Sequence, residues 1–354
     1  MDALQILDLS KRFDGVQALS PLSLSLPDNA HLVVLGPSGS GKSTLLRLLA
    51  GFEFPDNGSV RLDGLDITRV PPERRRCGWV TSQPGLLPQL DLASQIELPL
   101  RIAGIPTAER RARVQFLTDS LGLSHRLSHR PEQLSSGETV RTALARALVL
   151  NPRWLLLDEP FAQLDPPRRT EIRRLLLELR KRSPLLIIEV SHHPFEALAG
   201  TTHLALLHEG QLNQFGPRDM VMEHPASPRV AQFLASLPLW WSPAEQAVER
   251  GWIPGPMRPP ESGWLVMRLE RARWSSTPPR GPALGPVHVL DPIPAGTHRL
   301  LDCRFPDGRI FSVPQSQQEP VPAPGTPGWV SLDPEAVLAF AHMDLPDPTS
   351  NPPR

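Results

Sequence analysis

Cysteine is almost absent from this chain: Cys77 and Cys303 are the only two in 354 residues. They stand far apart and unaccompanied, which excludes a disulfide framework and any cysteine-based metal site of familiar spacing. They read as reduced structural thiols in a cytoplasmic protein. Lysine is nearly as scarce, with only Lys11, Lys42 and Lys181, whereas arginine is abundant, a bias we attribute to genome composition. There is no excess of either charge, since Lys+Arg and Asp+Glu both number 37. That balance argues against a general polyanion binder, so no nucleic-acid partner is expected. Long apolar runs are missing too. Stretches such as Leu185-Leu186-Ile187-Ile188 are strand-sized, far short of the roughly 20 residues of a membrane span. The opening Met1-Asp2-Ala3-Leu4 has no basic region and no apolar run behind it, so no secretory signal is predicted. The length suffices for two or three domains.

Against that background one segment stands out, Gly36-Pro37-Ser38-Gly39-Ser40-Gly41-Lys42-Ser43-Thr44. The apolar run His31–Leu35 precedes it and Leu45-Leu46-Arg47-Leu48-Leu49-Ala50 follows, giving the strand, glycine-rich turn and helix that a phosphate-binding loop requires. The glycines let backbone N–H groups turn inward around a phosphate, and the helix presents its positive end to the same anion. Lys42 supplies a charge for the β- and γ-phosphates. Ser43 supplies a hydroxyl for Mg²⁺, which prefers oxygen ligands.

The rest of the chain reads as alternating elements. Leu4–Leu7 and the alternating Leu22–Leu26 are expected strands ahead of the loop, and Gly58–Gly64 is one closed by an Asp-Gly turn. From about 89 to 150 the pattern is helical. Strands return at Trp154–Leu157 and Leu185–Val190, separated by a helix over Thr170–Arg182. This predicts an α/β fold with a parallel sheet and a helical insert. After Phe233 composition shifts: Pro238, Pro243, Pro254, Pro256, Pro259 and Pro260 mark a linker that also holds Trp240 and Trp241. Short β-type runs follow at Trp264–Met267, Val287–Leu290, Leu301–Phe305 and Ile310–Val313, the last two joined by Pro306-Asp307-Gly308 as a hairpin. They predict a small β-barrel or sandwich. The Pro-rich tail is expected to be disordered.

Two more segments carry chemistry. Trp154–Leu157 ends in Asp158-Glu159; Asp158 at that strand end is suited to hold the waters around Mg²⁺, and Glu159 to take a proton from the water attacking the γ-phosphate. Leu134-Ser135-Ser136-Gly137-Glu138 precedes a helix expected over Arg141–Leu148, a nest suited to a phosphate delivered from outside.

With these residues assembled, the chain resembles the nucleotide-binding subunits of ABC transporters, over residues 1–235. The resemblance implies ATP and Mg²⁺ as cofactors. It also implies Gln83 as the glutamine that touches Mg²⁺ and senses a permease, and Ser135 and Gly137 as parts of a signature contacting the γ-phosphate held by the other protomer. It makes Asp165 a dimer-crossing aspartate, His192 a histidine contacting the γ-phosphate, and Phe13 the aromatic stacking on adenine. The chain departs from the family pattern at Ser136, Glu138, Thr139-Val140 and His193. Lys42, Asp158, Glu159 and His192 all remain, so hydrolysis is expected to survive.

The segment from His208 to Leu234 resembles the end of the ATPase domain in bacterial importers of sugars, polyamines, sulfate, molybdate, ferric iron or thiamine. The expected architecture is an α/β P-loop NTPase domain (1–236) with a helical insert (about 89–150), a linker (237–262), a small all-β domain like an oligonucleotide-binding fold (263–345), and a tail (346–354). Two anion sites on one chain imply a head-to-tail homodimer closing on two ATP. The importer resemblance implies integral-membrane permease subunits, indirectly an extracytoplasmic solute-binding protein, and a place on the cytoplasmic face of the inner membrane. A soluble ABC-type ATPase, an exporter subunit and a non-enzymatic regulatory module are the alternatives.

Overall fold

The computed structural model describes residues 2–182, 184–192, 200–235, 239–245, 263–279, 283–295, 298–305, 308–316, 318–333 and 337–341. The chain divides into two compact units, 1–224 and 225–354.

In the first unit, β1 (Asp2–Phe13) and β2 (Val16–Pro27) form an antiparallel hairpin. Its turn is Asp14-Gly15, both at positive φ, the conformation that matches the twist of paired strands. A second sheet contains β3 (His31–Leu35), β6 (Cys77–Thr81), β7 (Trp154–Asp158), β8 (Leu186–Ser191), β9 (His203–His208) and β10 (Gln211–Pro217). β4 (Asn57–Leu62) and β5 (Leu65–Asp66) complete the first sheet, in the order β2-β1-β4-β5. The second runs β10-β9-β3-β8-β7-β6, all parallel except β10 at its edge.

β3 and most of β7 and β8 are buried, as expected of a parallel sheet covered on both faces. Because successive side chains alternate, Trp154 and Leu156 face one core while Leu155 and Leu157 face another. The first core lies between the two sheets and takes the apolar face of α1 (Lys42–Ala50), chiefly Leu45, Leu46 and Leu49. The other core packs α2 (Leu92–Ile102), α3 (Thr107–Ser120), α4 (Ser136–Leu148) and α5 (Pro166–Arg182) on the far face. α2 to α4 are the expected helical insert. α4 begins at Ser136 rather than Arg141, and α5 at Pro166 rather than Thr170, because each has a polar N-cap that an apolar-period reading misses. α6 (Arg218–Glu223) closes this unit.

The second unit opens with α7 (Pro228–Leu234), whose Ala231 packs with Leu239 and Val266. β11 (Trp240–Pro243), inside the stretch expected as linker, pairs antiparallel with β12 (Trp264–Met267). β13 (Ala272–Ser275), β14 (Ala283–Ala295), β15 (His298–Arg304), β16 (Ile310–Ser316) and β17 (Pro327–Leu332) form an antiparallel sheet in the order β13-β17-β14-β15-β16. β13 and β16, at the two ends of that order, also approach each other, so the sheet curls toward a small barrel around Val287, Val289, Leu301 and Val313. β18 (Val337–Phe340) pairs with β12. The expected hairpin is present as the β15–β16 pair, with Leu301 opposite Val313. Pro306 and Asp307 of its turn, His193, most of the expected linker and the tail lie outside the described residues.

Burial pushes both thiols, Cys77 and Cys303, up to about 12, so they are inert structural side chains. Among the described residues, no helix is long and apolar enough to cross a membrane.

Candidate functional site

The register of the parallel sheet brings the chemistry to one edge. Leu35 pairs with Ser191, and Asp158 with Val190, so β3, β8 and β7 end level. In open α/β sheets, ligands bind outside such carboxyl ends. Here a cleft of about 420 Å³ is lined by Ser38, Gly39, Gly41, Lys42, Ser43 and Thr44 of the loop, with Asp158 and Glu159 opposite and Ala18 and Ser82 at its margin.

Two loop glycines are dictated by close approach. A Cβ on Gly36 would lie 2.1 Å from the Leu207 carbonyl oxygen, and one on Gly41, at φ +97°, would lie 2.5 Å from that of Ala18. Lys42 opens α1 with its side chain buried in the loop, its ammonium donating to the carbonyls of Gly36 (2.8 Å) and Pro37 (2.7 Å). Ser40 is buried beside it. Burial lowers the Lys42 pKa, opposed by the charges of Glu159 and Asp158. A partly desolvated ammonium at the start of a helix is a site for an anion.

Ser43 Oγ donates to Asp158 Oδ1 at 3.2 Å. Burial raises the Asp158 carboxyl above its ordinary value, the neighbouring Glu159 charge adding to it and the Ser43 hydrogen bond opposing. A hydroxyl and a half-buried carboxylate facing each other are oxygen donors of the kind that suit Mg²⁺.

Glu159 has φ +49°, a left-handed backbone that a non-glycine residue keeps only when its surroundings fix it. Its amide donates to the Val190 carbonyl at 3.2 Å, and its Oε2 lies 3.0 Å from His192 Nδ1. The two residues that sequence motifs nominate separately therefore touch, a contact that only the sheet register reveals.

The remaining nominated residues lie away from the cleft lining. Phe13, at the end of β1, is 38% exposed, with the Lys11 ammonium over its ring at 5.1 Å from the centroid. Gln83 is exposed beyond β6, its carbonyl accepting from Thr81 Oγ1 at 2.6 Å, and Ser82 rather than Gln83 lines the cleft. Asp165 is the N-cap of α5, accepting from the Arg168 amide at 3.0 Å.

Ser135 caps α4, and the Ser-x-x-Glu spacing closes a capping box. Glu138 Oε2 accepts from the Ser135 amide (2.8 Å) and hydroxyl (2.9 Å), while Glu138 Oε1 meets Arg126 at 2.8 Å. This gives a structural reason for a glutamate there. Ser136 is exposed and accepts from Arg168 at 3.4 Å, and Gly137 is buried beside Arg168. The Ser135 amide bond, then the Ser135 hydroxyl and Arg126, hold the Glu138 carboxyl down at about 2 against the cost of its burial. A lowered carboxylate contributes stability that is full above its ordinary value near 4.5 and lost as pH falls toward 2. Glu138→Ala is therefore expected to cost about 1 kcal/mol at pH 7. Thermal unfolding of the two proteins should show that gap closing between pH 4.5 and 2.

Phosphate loop, acidic strand end and adjoining histidine at one sheet edge define a P-loop nucleoside triphosphatase. Comparison with known proteins sharpens this. Residues 19–162 match the family model described as ABC transporter. The spermidine/putrescine import ATP-binding protein PotA of Nitrosomonas europaea is 38% identical over 240 residues, 68% of this chain and 66% of its own. The sulfate/thiosulfate import ATP-binding protein CysA of Mycobacterium tuberculosis is 40% identical over 235 residues, 66% of this chain and 67% of its own. The match thus spans about two thirds of the length of these relatives. A crystal structure of a nucleotide-free ATP-binding cassette from an ABC transporter shares the fold, with a TM-score of 0.60 at 24% identity over 66% of this chain and 98% of that one. The chain belongs to the ABC transporter family of ATP-binding proteins.

Proposed function

We propose that this chain is the ATP-binding and ATP-hydrolysing subunit that powers import of a small solute through a partner membrane permease. The observation that carries the reading is the meeting of Lys42, Ser43, Asp158, Glu159 and His192 around one cleft edge. Its relatives are named as import ATP-binding proteins, which favours an importer over an exporter or a soluble ATPase.

In this reading Gly36, Ser38, Gly39, Ser40, Gly41 and Thr44 present the loop to the phosphates, and Lys42 neutralises the β- and γ-phosphate charge. Ser43 and Asp158, with Gln83, are the residues that would hold Mg²⁺, which when bound would supply charge compensation for the phosphates. Glu159 accepts the proton of the attacking water, and His192, held against it, orients the carboxylate and reaches the γ-phosphate. Phe13 stacks on adenine. Ser135, Gly137 and Asp165, which lie outside the lining of the chain's own cleft, serve the partner protomer, so two copies close head to tail on two ATP. The closed dimer's preference for ATP over ADP drives the population shift that a permease, near Gln83 and the helical insert, turns into alternating access. The subunit sits peripherally at the cytoplasmic face, where the permease and a solute-binding protein set the solute.

The test is co-expression with candidate integral-membrane permease subunits. The reading expects a membrane-bound complex whose ATP turnover rises with solute-loaded binding protein in proteoliposomes. Robust turnover with no permease association would favour a soluble ATPase.

The domain division makes a separate prediction. A chain ending at Ser236 should fold and bind ATP like the full protein, since every residue assigned to chemistry lies between Phe13 and His192. Because Ala231 packs with Leu239 and Val266, that cut bares one face of α7, so ending at His224 should give the more soluble fragment. Circular dichroism and ATP titration of both fragments check this; a folded fragment that fails to bind ATP would undo the division.

A further inference from the structure

A fully buried carboxylate on β8 takes no part in the chemistry above. Glu189, on β8, is 1% exposed and is gripped by both terminal nitrogens of the Arg173 guanidinium from α5, one of them at 3.0 Å. His31 Nε2, at the start of β3, lies 3.1 Å from Glu189 Oε2. Burial holds the His31 imidazole below its ordinary value, with Arg180 and Arg173 adding and Glu189 opposing. Burial pushes the Glu189 carboxyl up, but the Arg173 charge and the hydrogen bonds of His31 and Arg173 outweigh it. The core is thus an ionised Arg173–Glu189 pair with a neutral imidazole against it.

A buried ion pair is a weak source of stability, because desolvation offsets its attraction. Its attachments point to another role. Glu189 immediately precedes Val190, whose carbonyl receives the Glu159 amide, and β8 leads directly to His192. The Arg173 guanidinium lies over the Phe161 ring, 4.9 Å from its centroid. One helical turn earlier, Arg169 donates to the Leu164 carbonyl at 2.6 Å, next to Asp165. The turn 159–165, with Glu159 in its left-handed backbone, is therefore held from both sides.

Resting on the function proposed above, we propose that Arg173 and Glu189 are positioning residues for ATP hydrolysis, their buried pair fixing the 159–165 turn against the end of β8 so that Glu159 and His192 stay in register. A misplacement of about 1 Å at a reacting group can cost on the order of 10²-fold in rate.

The test uses the full chain with Arg173→Lys, which keeps the charge but loses the two-pronged grip, and the paired replacement Arg173→Met with Glu189→Met, which removes the buried charges together. Both are expected to keep the ATP Kd of the parent while kcat falls about 10- to 100-fold. The paired variant should also keep its Tm, since apolar replacement of a whole buried pair is well tolerated. A paired variant with parental Tm and parental kcat overturns the proposal. If it does not fold, Arg173→Lys decides by the same criterion, and a kcat loss that comes only with lost ATP affinity also overturns it. The imidazole NMR signals of His192, assigned through His192→Gln, give a readout independent of turnover. They should move in Arg173→Lys, and unmoved signals count against the proposal even if the parent chain hydrolyses no ATP, an outcome that would instead defeat the function proposed above.

Discussion

Lys42→Ala is expected to abolish tight ATP binding, with Kd by calorimetry rising at least about a hundredfold. Hydrogen bonds to charged groups contribute about 1.5–3 kcal/mol each, and about 1.4 kcal/mol is tenfold in affinity. Two such contacts to phosphate oxygens would account for the effect. No other lysine stands in the loop. The same ammonium ties together the carbonyls of Gly36 and Pro37, so its loss also leaves the loop less organised. Arg47, on the next turn of α1, lies outside the cleft lining. An unchanged titration would remove the phosphate-loop assignment, because among the described residues lining the cleft Lys42 is the one fixed cation.

Glu159→Gln is expected to bind ATP normally and to hydrolyse it about 10²–10⁴ times more slowly, the usual cost of losing a general base. The amide has the shape of the carboxylate and can still meet His192, so the left-handed turn should persist; what disappears is the proton acceptor. With binding intact and turnover stopped, the proposed dimer should accumulate. Sizing chromatography with ATP should show dimer for this variant and mostly monomer without nucleotide. Near-normal hydrolysis would shift the base role, with His192, 3.0 Å away, the first candidate.

The site was legible in the sequence where its information is local. Strand, loop and helix around Lys42 are contiguous, and an apolar strand ending in two acids is visible by itself. The Glu159–His192 contact joins segments that only the level ends of β7 and β8 bring together. The Arg173–Glu189–His31 cluster carries no motif at all, because its members sit on three separate elements. Serine followed three residues later by glutamate was in plain view at Ser135 and Glu138, yet a nest for an external anion competed for the same residues. Trp240 and Trp241 read as linker because prolines surround them; pairing with β12 depends on a partner strand far downstream.

The cap of α4 bears on how long two copies would stay closed. Ser135 does not wait with a free hydroxyl: that hydroxyl already donates to Glu138 of its own chain. In the proposed dimer, a phosphate arriving from the partner would have to displace an intramolecular carboxylate, so docking would trade one hydrogen bond for another and bring two anions near each other. The recognition step would then yield little net attraction, and the embrace would depend on the opposing cleft around Lys42. Such a joint would release once the terminal phosphate is cut, with the glutamate ready to reclaim its serine.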